Sequence, residues 1–408
     1  MLSEDALNNL VQPIVDRQEA INTLVLETIA KRVKEIGKLS PSDVRKLEML
    51  MKTGSDVRMI NQELARLTGL NEHDIKRLIR TVALDSYTDA RPFYDYRQKG
   101  FIPFLKNESL QRIVRAIEKQ TAATYMNLSN STAFMIRDLA NPSVLKATSI
   151  AKTYQSVVDE AIQAAQSGIV DYNTAMRRTM KQLVESGLRV VSYNPESGRK
   201  YSQRLDTAVR RNILDGIRQV NQGVQDEVGR QFGADGKEIT VHAFSAPDHE
   251  PVQGHQFSNE EYDKLQNNEP FTDYRGNRFD AIARPIGFWN CRHFTFSIIL
   301  GVMKPTYSDE QLKQFIDKNN EGYTTSTGKH MTMYECTQYQ RQLETKIRKA
   351  KDGQMAAQAA GDMSLAQEYR AKIVNLTNQY KQFSKSCGLN AHTEKMTIAG
   401  YKAIPSKR

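Results

Sequence analysis

The chain has 408 residues, 39% hydrophobic and 25% charged, with a formal net charge of +10. That length suits two or three domains, and the modest hydrophobic fraction favours long amphipathic helices over one dense globule. No stretch approaches the roughly 20 apolar residues that span a bilayer as a helix, so no membrane-spanning helix is expected.

Residues 2–84 repeat apolar side chains at helical spacing. Leu10, Ile14, Leu24, Ile29 and Val33 form one stripe, and Gly37 ends it. Ser40-Pro41-Ser42-Asp43 predicts the cap of a second helix, and Thr68-Gly69-Leu70-Asn71 a break between two more. Within 62–79, Ala65, Gly69 and Ile75 stand at the offsets of a DNA-binding helix-turn-helix. Glu72 and Asp74 would repel phosphate where bases are read, so the segment is taken as a helical hairpin used for packing. Residues 85–103 form a connector pinned by Tyr87, Phe93, Tyr94, Tyr96 and Phe101. Two or three helices run from Leu110 to Val184, and a turn-rich passage follows Tyr193. A long helix then carries Leu205, Val209, Ile213, Ile217, Val220, Val224 and Val228 on one stripe.

The texture changes at residue 236. Ile239, Val241 and Ala243 alternate with Thr240, His242 and Phe244, and Phe294, Phe296, Ile298 and Leu300 repeat the pattern, so two strands are predicted. Residues 236–305 read as a small α+β module and as the only β-rich part of the chain. Helices then resume, with stripes at Tyr339, Leu343 and Ile347 and at Leu365, Tyr369, Ile373, Leu376, Tyr380 and Phe383. Gly361-Asp362 between them makes an antiparallel hairpin. The expected fold is α+β, predominantly α, with long amphipathic helices flanking one small α+β module. Four regions are expected: a helical docking region 1–104, a helical domain 105–235, the module 236–305, and a C-terminal hairpin and tail 306–408.

Charge is unevenly spread. Residues 301–408 hold 17 Lys/Arg against 10 Asp/Glu, and residues 201–300 hold 11 against 14. Such an excess allows loose contact with a nucleic-acid backbone without reading its sequence. Arg204, Arg211 and Arg218 lie seven apart, away from the apolar stripe, and form an expected interaction face for an acidic partner or DNA. Three scattered cysteines make no disulfide framework, and Met1–Leu10 lacks the basic start of a secretory signal, so synthesis in a reducing cytoplasm is expected. The sharpest cluster is His242, Asp248, His249, His255, Cys291 and His293. Cys291 and His293, two apart on a strand-like run, point to the face opposite Phe294 and Phe296. With His249 and His255 they offer a thiolate and three imidazoles, a set that zinc accepts. A core of hydrogen-bonded histidines without metal is the alternative. The order Asp248-His249, Asn290, His293 superficially matches an HNH nuclease, but the last two lie at the mouth of a strand instead of on a helix. No orienting third group stands beside Cys291 and His293, and no Gly-rich phosphate loop or nucleophile elbow is present, so the chain is read as no enzyme.

Several blocks carry a resemblance. These are Asp171-Tyr172 through Gly187, Ser197-Gly198-Arg199, Leu205-Asp206-Thr207-Ala208-Val209-Arg210-Arg211 and Val241-His242-Ala243. Ala246-Pro247-Asp248-His249, Gly254-His255-Gln256-Phe257 and Trp289-Asn290-Cys291-Arg292-His293 follow, the last being the most specific. Through them the chain resembles the phage minor capsid proteins of type 2, related to the Mu F-like head proteins. The resemblance implies a structural minor capsid or head-morphogenesis protein of a tailed bacteriophage. It would be made in the host cytoplasm and placed in the capsid interior near the portal. Portal protein and major capsid or other head proteins are the implied partners, with non-specific contact with packaged DNA as a further expectation. Two alternatives stay open: a metal-dependent, nuclease-like hydrolase carried in the virion, and a basic DNA-binding head protein.

Overall fold

The computed structural model describes residues 4–39, 46–96, 100–137, 144–167, 171–193, 200–289 and 291–405. The expected cap at 40–43, the turn after Tyr193 and Asn290 lie outside them. The helices are α1 (Glu4–Ile36), α2 (Lys46–Asp89), α3 (Arg91–Tyr96), α4 (Glu108–Asn130), α5 (Ile150–Ser167) and α6 (Tyr172–Ser186). They continue with α7 (Leu205–Phe232), α8 (Asn259–Gln266), α9 (Asp309–Glu321), α10 (Met333–Ala360) and α11 (Met363–Ser386). Strands β1 (Thr132–Arg137), β2 (Leu145–Ser149), β3 (Arg189–Tyr193) and β4 (Lys200–Arg204) pair antiparallel in the order β2-β1-β3-β4. Strands β5 (Gly236–Ile239), β6 (Gln256–Ser258), β7 (Phe271–Thr272), β8 (Arg278–Phe279) and β9 (Thr295–Ile298) follow, then β10 (Tyr323–Thr324) and β11 (His330–Met331).

The fold is α+β and predominantly α, as predicted, but two expectations are corrected. The four-stranded sheet lies within residues 132–204, so 236–305 is not the only β-rich part. Its strands are short, and a short apolar run cannot be told from a helical one by periodicity. Second, α2 runs unbroken through Thr68–Asn71, so the helical hairpin expected there is one continuous helix. One interior glycine costs a helix about 1 kcal/mol, too little to break 44 residues that bury Ile60, Leu67, Ile75 and Ile79.

The chain divides into two compact units, each assembled from distant segments. The first gathers Met1–Val11, Glu72–Tyr125 and Arg210–Gln338, and holds all of 236–305. Ile213, Ile217, Val220, Val224 and Val228 of α7 are buried in it. Gly216 and Gly223 leave room for α4, because a Cβ at either would run into Thr121 or Ile113. Residues 85–96, expected as part of a connector, are instead the end of α2 and the short α3, and the side chains of Phe93 and Tyr96 lie outside the described residues. Tyr87 does pack as expected, stacking on Phe101 at 4.9 Å and donating to the Ile102 carbonyl at 3.0 Å. In the sheet β6-β5-β9, Glu238 of the central strand faces Gln256 and Phe296. Ser297 of β9 donates to the Gln225 carbonyl of α7 at 2.9 Å, which ties this sheet to that helix. Ile239, Phe257, Leu265, Phe271 and Cys291 share one core.

The second unit gathers Gln12–Asn71, Met126–Val209 and Tyr339–Arg408. Ile14, Ile21, Val25, Ile29 and Val33 of α1 are buried in it, and so are the polar Glu19 and Asn22. The predicted hairpin is α10 and α11, with Leu343, Ile347 and Tyr380 in one cluster and Ala357, Leu365 and Ala366 in another. Gly361 makes the turn at φ +77°, and Asp362 caps α11 by accepting from Leu365 N at 2.9 Å.

Candidate functional site

Two segments of the first unit bring the chemical side chains together. Residues 246–254 wind as tight turns, with His249 N and Glu250 N both donating to the Ala246 carbonyl and Gln253 N to the His249 carbonyl. Gly254, at φ +76°, lets the chain leave into β6. The other segment leads into β9. Thr240 N donates to the Phe294 carbonyl and Phe294 N to Thr240 Oγ1, both at 2.9 Å, so the strand-like pairing extends past the strand itself. Burial therefore alternates: Cys291, His293 and Thr295 are buried, while Arg292 and Phe294 are half-buried and Phe296 is exposed. That is the face expected for Cys291 and His293. Phe244 and Trp289, just before these two segments, take left-handed backbone at φ 59° and 52°, which is strained for large side chains.

His249, Cys291 and His293 meet. Cys291 Sγ lies 3.4 Å from His249 Nδ1 and 3.4 Å from His293 Nδ1, and the three ligand atoms fall within 4.8 Å of one another. Only 1% of His249, 1% of His293 and 3% of Cys291 is exposed. On the far side of each ring, Nε2 is anchored. His249 Nε2 lies 2.8 Å from the Arg284 carbonyl, which can only accept, so this nitrogen carries the proton. His293 Nε2 lies 3.2 Å from Gln253 Oε1, the atom that also accepts from His242 N. Burial lowers the pKa of both imidazoles, His293 well below the usual histidine range, and raises that of the Cys291 thiol. Burial works against the Asp248 carboxylate too, but the Arg284 guanidinium, at 2.5 and 2.7 Å, holds its pKa low.

His255 does not join the three. Its Nδ1 lies 2.7 Å from Asp273 Oδ2, at the edge of a cleft of about 310 Å³. The loop turns at Gly254, and the next residue enters the β6 register on the other side. His242 stands nearer, with its ring 4.3 Å from that of His293. The sequence reading missed Gln253 and the Arg284 carbonyl. Gln253 was legible in principle, since it lies four residues after His249 on one coil of turns. A backbone carbonyl leaves no signal in the sequence.

The expected arginine face is corrected. Arg204 ends strand β4 and is no part of α7, and it is 6% exposed. Arg218 is also 6% exposed, 3.6 Å from Asp215, and Arg211 is half-buried. The α7 helix is covered on more than its apolar stripe, so this row offers no open face. In the second unit Arg204 instead reaches Asp206 at 3.0 Å and Asp352 at 3.4 Å, while Arg348 lies 2.6 Å from both Glu19 and Asp206. Asn22 joins them: it donates to Asp352 at 3.1 Å and accepts from Leu188 N at 2.8 Å. These are structural ion pairs.

No helix among the described residues is long and apolar enough to cross a membrane. A family model described as phage minor capsid protein 2 matches residues 2–385. No curated protein and no solved structure matches the chain.

Proposed function

This chain belongs to the phage minor capsid protein 2 family, and we propose that it is a non-enzymatic head-morphogenesis protein seated inside the capsid beside the portal. Its structural role in a phage head, among other head proteins in the virion, follows from membership. The absence of catalysis and the portal-side position are the proposal.

One observation carries the non-enzymatic reading: the single His/Cys cluster among the described residues is enclosed, with each member 1–3% exposed. A nuclease-like hydrolase needs its nucleophile or metal open to substrate, whereas a closed set braces its surroundings. The portal-side position rests on the head-morphogenesis role that the family resemblance implies. The basic excess of residues 301–408 makes loose, salt-sensitive contact with packaged DNA part of the same proposal. Chemical cross-linking of purified heads, read by mass spectrometry, tests the position. Cross-links from this chain to the portal protein are expected, and cross-links to the major capsid protein alone would overturn the portal assignment.

A further inference from the structure

The His249–Cys291–His293 cluster has more electron pairs than protons to occupy them. Nε2 of His249 carries its proton toward the Arg284 carbonyl, and Nε2 of His293 carries its own toward Gln253 Oε1. Each neutral imidazole therefore turns a bare Nδ1 lone pair inward. Both lone pairs face the same sulfur at 3.4 Å. A thiol has one proton and can donate it to only one of them. The sulfur already accepts from a backbone donor, His293 N at 3.3 Å. Three electron-rich atoms thus converge in a buried pocket with a single proton among them.

A cation resolves this arrangement where a proton cannot. From metal–sulfur and metal–nitrogen distances of about 2.3 and 2.05 Å, a tetrahedral zinc site places sulfur and nitrogen about 3.5 Å apart. The two S···N separations here, 3.4 Å each, match that edge. One ligand atom from each of the three residues lies within 4.8 Å of the other two. The outer bonds from Nε2 to Arg284 and Gln253 are the kind that fix ligand tautomers in metal sites. One thiolate with imidazoles suits zinc, and it needs no redox partner.

We propose that the protein binds one zinc ion through His249 Nδ1, Cys291 Sγ and His293 Nδ1. On binding, the sulfur–hydrogen bond of Cys291 breaks, the sulfur keeps the electron pair and donates it to zinc, and the proton leaves to solvent. The ion cross-links the 246–254 turns to the strand that lies against α7. This inference goes beyond the proposed head role, which stands whether or not metal is bound.

The test is zinc content of the purified full-length chain by elemental mass spectrometry, followed by chelator stripping and titration with cobalt(II). About one zinc per chain is expected, together with a thiolate-to-cobalt charge-transfer absorption on titration. Cys291→Ser is expected to lose both signals, and His255→Ala to keep both. The cobalt titration of unaltered protein keeps the test informative if Cys291→Ser does not fold. Wild-type protein with neither stoichiometric zinc nor the thiolate–cobalt absorption would overturn the proposal. Zinc retained in folded Cys291→Ser would overturn it as well, since the metal would then lie elsewhere.

Discussion

Asp352 sits almost fully enclosed in the second unit, with Arg204 and Asn22 as its polar contacts. Burial pushes its pKa up to about 6, against the pull of Arg204, and burial likewise raises that of Glu19 against Arg348. Asp206 moves the other way: burial opposes ionisation, but Arg204 and Arg348 together hold its pKa well below the usual range. A carboxyl with a raised folded-state pKa binds its proton more tightly when folded. The stability it contributes is complete below the unfolded value and is lost as pH rises through the folded one. Between about pH 5 and pH 7, the stability of wild type relative to Asp352→Asn is therefore expected to fall by about 1 kcal/mol. Urea denaturation at both pH values measures it, and a pH-independent difference would contradict the burial of that charge. Taking the difference between the two proteins cancels the titration of groups common to both. Residue identity made only part of this legible. Cys291 and His293 were placed by their spacing of two on a strand. His255 was misjudged because one left-handed glycine sends the next side chain elsewhere. Arg204 was misread because its spacing suggested a helix that begins one residue later.

At the scale of elements, helices were the readable part and short strands were not. The stripe on α7 is buried and those on α10 and α11 are buried or half-buried where their periodicity put them, and Gly37 and Gly361 end or turn helices as expected. Strands β1 to β4 escaped because each is only five or six residues long and sits between helical patterns. Their pairing joins residues as far apart as Thr132 and Val190, which no local window can reveal. Close helix contacts also left only indirect marks. Gly223 on α7 faces Ile113 of α4, and a Cβ there would approach Ile113 Cγ2 to 2.6 Å. Gly223→Leu is expected to destabilise the first unit by about 1–3 kcal/mol despite the better helix propensity of leucine. Thermal unfolding measures this, and an unchanged or raised midpoint would show that the α4–α7 contact is loose.

For the whole molecule, composition limited the class of protein without naming its task. The +10 charge and the arginine spacing suggested a DNA surface, but two of the three arginines are occupied inside their own units. The family was legible because the block from Trp289 to His293 and the segments around His249 and His255 stand in a recognisable order. The match to residues 2–385 places that reading on nearly the full chain. A head protein that assembles beside the portal has a consequence for symmetry, because the portal occupies one vertex of a capsid whose other vertices are alike. The most direct measurement is therefore to label this chain in purified, DNA-filled heads and image them without imposing icosahedral symmetry. Label confined to a single vertex, on the inner side, is the expected result. Label at every vertex, or spread across the faces, would contradict the portal-side role.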